Sequence, residues 1–122
     1  MIYFKLDEFD SPDLPNSGIN MDKNFLNMLD DARKYAGVPF KINSGYRTEL
    51  HNDKVGGKPK TRTSKGSSHM YGFAADISAN SGKERWTIIE ALIFAGFKRI
   101  GVAKSFIHVD NDPDKPNAIW SY

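Results

Sequence analysis

The sequence predicts an α+β fold: one domain with a central, mostly antiparallel sheet and helices packed on one face of it. Three observations lead there. Two stretches carry apolar residues at helical spacing. Short β-rich segments stand between and after them. The last of these are joined by a turn too short for a parallel crossover. A chain of 122 residues and 13.7 kDa has room for a single domain of ordinary size.

Residues 1–20 hold little periodicity and several breakers, among them Ser11-Pro12, Leu14-Pro15 and Ser17-Gly18, and read as an extended lead-in over the surface. Beyond Asp22, the residues Phe25, Met28, Leu29, Ala32, Tyr35 and Ala36 recur at helical spacing. They predict a helix over 22–36, with Asn20 as cap and Gly37 as stop. Residues 38–44 alternate and are rich in β-formers, which places a strand over 40–44 leading into Gly45. Thr48 and Gly56-Gly57 bracket a short helix over 49–55. Between 57 and 68 stand Lys58, Lys60, Arg62 and Lys65 with no acid, among Gly, Pro, Ser and Thr, the composition of a mobile basic loop. Residues 73–78 read as a buried strand. Ser81 and Glu84 have the spacing of a capping box ahead of Trp86, Ile89, Leu92, Ile93 and Ala95, which predicts a helix over 84–95 ending at Gly96. Strands over 97–102 and 106–110 flank a turn at Ala103-Lys104. The last dozen residues, with Pro113 and Pro116, read as a tail anchored by Trp120 and Tyr122.

Composition removes several function classes. Hydrophobic residues at 39% and charged residues at 26% support a packed core and exclude chain-wide disorder. A net charge of +2 is too balanced for a protein that coats nucleic acid. With no cysteine there is no disulfide, thiolate zinc site, iron–sulfur cluster or cysteine nucleophile, so a metal must be held by His, Asp or Glu. No run approaches a membrane span and the first residues lack the pattern of a secretion leader. The expectation is a soluble monomer without membrane or nucleic-acid partners, cytoplasmic until release or carried on a virion.

The three histidines are His51, His69 and His108; Asp76 follows His69 by seven positions and Asp110 follows His108 by two. Imidazole and carboxylate are the donors zinc accepts when thiolates are absent, and two His with one carboxylate leave the fourth tetrahedral position open, as in catalytic sites. Three histidines in a chain of this length is also an ordinary count, consistent with exposed or hydrogen-bonded side chains. Asp76 lies inside an apolar strand, where a carboxylate requires a partner, a metal or a turn amide. His108 and Asp110 face the same side of a strand. Asp110 can therefore be a partner to a ligand, a general base or an edge charge. Arg47 follows a strand and a Gly turn, which sets a planar cation at a cleft edge or simply at the surface.

The wording around these residues goes further. Ser44-Gly45-Tyr46-Arg47, His51-Asn52, Val55-Gly56-Gly57, Ser68-His69, Gly72-Phe73-Ala74-Ala75-Asp76-Ile77, Gly101-Val102 and Phe106-Ile107-His108-Val109-Asp110 together resemble the zinc D-Ala-D-Ala carboxypeptidase family. This family of peptidoglycan peptidases shares its fold with the Hedgehog signalling domain, and the likeness is closest to the compact murein endopeptidase and phage-associated branch, over about 40–120. The resemblance implies a Hedgehog/DD-peptidase-like α+β fold, Zn2+ as cofactor held by His69, Asp76 and His108, and Arg47 gripping a substrate carboxylate. It implies a peptidase acting on peptidoglycan stem or cross-link peptides, and the lack of a leader pattern then points to a phage or prophage product, with a bacterial origin left open. Many members carry an acidic general base three residues before the last histidine ligand, where this chain has Ser105. Asp110 is then the first candidate for the base, ahead of Asp53 and His51, and the alternative is a weakly active or inactive module that binds peptidoglycan or protein on the zinc scaffold. Tyr46 and Trp120 are expected as cleft walls, His51 in a structural role, and the basic loop against anionic wall polymers.

Overall fold

The computed structural model describes all 122 residues. Three helices, α1 (Lys23–Ala36), α2 (Glu49–Lys54) and α3 (Gly82–Phe94), accompany five strands. These are β1 (Ile42–Ser44), β2 (Ala74–Ser78), β3 (Arg99–Val102), β4 (Phe106–Asp110) and β5 (Ala118–Ser121). They form one sheet in the order β1-β2-β4-β3-β5. Pairing is antiparallel except between β3 and β5, which run parallel. No helix is long and apolar enough to cross a membrane.

Strand alternation gives the sheet two unlike faces. Ala75, Ile77, Ile100, Ile107 and Val109 point to one of them and enter the core with Phe25, Leu29, Ile88 and Leu92 of α1 and α3. The residues between them, Asp76 on β2 and His108 on β4, point to the other. The register lines up Ser44, Asp76, His108, Gly101 and Trp120 as one row across all five strands. Helices α1 and α3 thus cover the apolar face and leave the polar row open to a cleft.

Several expectations need correction. The tail over 118–121 is a strand: Ala118 N donates to Lys98 O and Tyr122 N to Val102 O, so a segment too short to show alternation gains its order from β3. The lead-in is not a surface wrap, because Phe4 and Phe9 are buried in the core and meet edge to face at 5.4 Å. Buried Asp30 of α1 holds that segment by accepting Ile2 N at 3.0 Å and Tyr3 N at 2.8 Å. The cap of α1 is Asp22, which accepts Phe25 N at 2.9 Å, and not Asn20. At α3, Ser81 Oγ accepts Glu84 N as a capping box requires, but the Glu84 carboxylate returns to Asn80 N instead of the cap residue. The buried stripe of α3 is Ile88, Ala91 and Leu92, while Trp86 and Ile93 are exposed. The basic loop is tied to the body by Lys65, whose ammonium lies 2.8 Å from both Asp112 and Asp114.

Candidate metal centre and cleft

His69 stands on a single 3₁₀ turn, Ser68–Tyr71, begun by Ser67 Oγ accepting His69 N at 3.2 Å and closed by Gly72. Gly72 has φ +77°, and any side chain there would strike the backbone of Asn20. His69 Nδ1 lies 2.8 Å from Gly45 O. A carbonyl only accepts, so Nδ1 carries the proton and the lone pair of Nε2 is turned toward Asp76 Oδ1, 3.3 Å away. The β2–β4 register places His108 directly opposite Asp76, with Nδ1 at 2.9 Å from the same Oδ1. His69, Asp76 and His108 are all buried, and their donor atoms lie within 4.8 Å of one another.

This donor set fits a metal ion. Two atoms each ~2.0–2.1 Å from one tetrahedral zinc stand about 3.3 Å apart, which is the His69 Nε2–Asp76 Oδ1 separation. A lone pair directed at a carboxylate oxygen is unfavourable unless a cation lies between them.

The charges around the trio are arranged to hold their forms. Burial works against ionisation of Asp76, yet the hydrogen bond from His108 outweighs it and holds the carboxyl well below the ordinary range. Burial pushes His69 down. Burial also opposes charge on His108, but its bonds to Asp110 and Asp76 prevail and raise it. Asp110 Oδ2 meets His108 Nε2 at 2.8 Å, on the opposite edge of the ring from Asp76. Its Oδ1 accepts Arg99 Nε at 2.7 Å and Asp112 N at 3.1 Å. Asp110 also lines the cleft, with both of its oxygens engaged in these bonds.

Arg47 extends beside the trio. Its Nε donates to Ser44 Oγ at 3.0 Å, Nη1 to Asn52 Oδ1 at 3.3 Å and Nη2 to Asp76 Oδ2 at 3.4 Å. Burial lowers its pKa and the Asp76 charge opposes that. Around these residues opens a cleft of about 430 Å³, lined also by Gly57, Lys58, Phe106, Trp120 and Tyr122.

Trp120 reaches the centre because Gly101, its register partner, has no side chain: a Cβ there would come within 2.6 Å of Trp120 Nε1. The indole sits 5.5 Å from the His108 ring, with the Arg99 guanidinium 4.9 Å over it. Tyr46 is not a wall; it is half-buried and packed on the core, and Tyr122 lines the cleft instead. His51, Asp53 and Ser105 do not line the cleft either. Ser105 is exposed on the β3–β4 turn, where its carbonyl accepts Ala79 N.

Sequence reasoning gave no site role to Ser44, Asn52, Arg99 or Gly101. Ser44, Asn52 and Gly101 left a signal, as words in the motif string, and Arg99 left none. No curated protein matches the chain. A family model described as Peptidase M15 matches residues 3–110, which takes in the lead-in and every residue of the trio. The chain belongs to the peptidase M15 family, that of the zinc D-Ala-D-Ala carboxypeptidases.

Proposed function

We propose that the protein is a zinc-dependent peptidase that hydrolyses a peptide bond in the stem or cross-link peptides of peptidoglycan. The observation that carries this reading is the convergence of His69, Asp76 and His108 on the floor of an open cleft with a guanidinium beside them. His69 Nε2, an Asp76 oxygen and His108 Nδ1 would hold the ion. When bound, zinc supplies Lewis acidity and activates water near neutral pH.

The chain's own residues do the rest. Gly45 O fixes the His69 tautomer. Asp110 keeps a proton on His108 Nε2 and thereby turns Nδ1 inward, an orienting task that accounts for both of its oxygens better than proton abstraction does. Arg47 offers its outer edge to a substrate carboxylate and sets the register of the chain to be cut. Trp120 and Tyr122 exclude water on one side; burial raises the Tyr122 phenol, so it stays neutral and can donate a hydrogen bond.

The test is digestion of purified peptidoglycan with zinc and after chelation, followed by mass spectrometry of the released peptides. Zinc-dependent release of fragments cut at one peptide bond is expected. One observation favours a second reading, a binding module with little turnover: Ser105 is exposed and no free carboxylate lines the cleft. Binding of peptidoglycan without any released fragment would support it.

A further inference from the structure

Asn52 is a fully buried residue on α2, whose flanking Asp53 and Lys54 are exposed. A buried amide needs partners for both ends. Its Oδ1 accepts Arg47 Nη1 at 3.3 Å and its Nδ2 donates to Lys58 O at 2.9 Å. Arg47 can only donate and a carbonyl can only accept, so the chemistry of the partners fixes the amide orientation. Gly57, next along the cleft wall, donates its N–H to Asn52 O at 2.9 Å. A side chain on Gly57 would collide with Asn52 Oδ1 and stand 2.9 Å from Arg47 Nη1. One side chain thus joins the guanidinium to the Gly57–Lys58 wall.

We propose that Asn52 is the positioning residue that aims Arg47 into the cleft, and that its being a neutral acceptor leaves the guanidinium charge available to a substrate carboxylate. This rests on the reading of Arg47 as the carboxylate grip. Two of the three groups that hold Arg47, Ser44 Oγ and Asn52 Oδ1, carry no charge. The third, Asp76, is shared with two histidines. An aspartate at 52 would keep the shape and the acceptor for Arg47, give up the donor to Lys58 O, and place Arg47 between two carboxylates, in direct competition with the substrate.

The experiment uses the full chain loaded with zinc and a pair of peptides ending in D-Ala-D-Ala, one with a free terminal carboxylate and one amidated. Asn52→Asp is expected to raise KM for the free-carboxylate peptide by about tenfold or more, the size of a lost charge-assisted contact, with kcat, zinc content and the rate on the amidated peptide little changed. In an Arg47→Ala background the same substitution should add nothing. If Asn52→Asp does not fold, Asn52→Ala replaces it, with a rise in KM confined to the free-carboxylate peptide expected from loss of aim. Equal loss on both peptides, or no loss on either while Arg47→Ala abolishes discrimination between them, overturns the role of Asn52. If Arg47→Ala leaves that discrimination intact, it is the reading of Arg47 itself that fails.

Discussion

A carboxylate with three donors on its two oxygens has a fixed orientation, and at the scale of the residue Asp110 is such a group. Burial raises its pKa, and the bond from His108 more than offsets this, so it remains ionised. It lies against the far edge of the His108 ring and is held there by Arg99. Asp110→Asn should therefore weaken zinc affinity by ~10–100-fold while kcat at saturating zinc falls little, as read by competition with a chelating dye and by steady-state rates. A fall in kcat of ~10²–10⁴ with affinity unchanged would instead make Asp110 the base. The sequence made this neighbour visible, since positions i and i+2 of a strand share a face, but could not say which ring nitrogen it meets. That depends on the β2–β4 register, which puts Asp76 on Nδ1. Arg99 was illegible for the same reason: its link to Asp110 exists only because β3 pairs with β4.

At the scale of the element, helices and strands with clear periods were legible and their buried faces only partly so. The apolar residues of α3 surround most of its circumference, so its period does not select a face, and the packing of α1 decides that Ile88 and Leu92 go inward. Leu92→Ala should cost about 2–5 kcal/mol, whereas Trp86→Ala, at a side chain 63% exposed, should stay within ~0.5 kcal/mol, both by urea denaturation. The 3₁₀ turn that carries His69 has a different anchor. Asp112, its side chain fully buried, accepts Ser68 Oγ at 2.7 Å and Lys65 Nζ at 2.8 Å, joining the turn to the segment after β4. Burial raises its pKa and the Lys65 and Ser68 bonds outweigh that, leaving it below the ordinary 3.8. In acid the unfolded chain then takes up this proton before the folded one does. The contribution of Asp112 to stability is complete above the ordinary value and disappears as pH falls through the lower, folded one. Asp112→Asn should lower stability at pH 7 and flatten its decline on the acid side; an unchanged acid limb would show that Asp112 is not what links the turn to pH.

At the scale of the whole molecule, the sheet separates what holds the fold from what acts on substrate. The core of 18 buried residues lies on the helix side, and the open face carries a chain of alternating charge. Arg47 meets Asp76 at 3.4 Å, Asp76 meets His108 at 2.9 Å, His108 meets Asp110 at 2.8 Å and Asp110 meets Arg99 at 2.7 Å. With His108 protonated, every carboxylate in this series has a cation on each side, so the polar face is balanced without a metal. Zinc would take the place of that proton without completing the core. Chelation should consequently abolish activity and leave the far-UV circular dichroism at 25 °C unchanged. Re-addition of zinc to 100 times its dissociation constant should stabilise by about 2.7 kcal/mol, on the order of 10 °C in Tm for a domain of this size. His108→Ala should abolish the zinc-dependent rise in Tm and lower the metal-free Tm as well, because Asp76 and Asp110 lose the cation between them. Loss of secondary structure on chelation would mean instead that the two faces are not independent, and that closing the His69 turn against β4 by metal is a condition of folding.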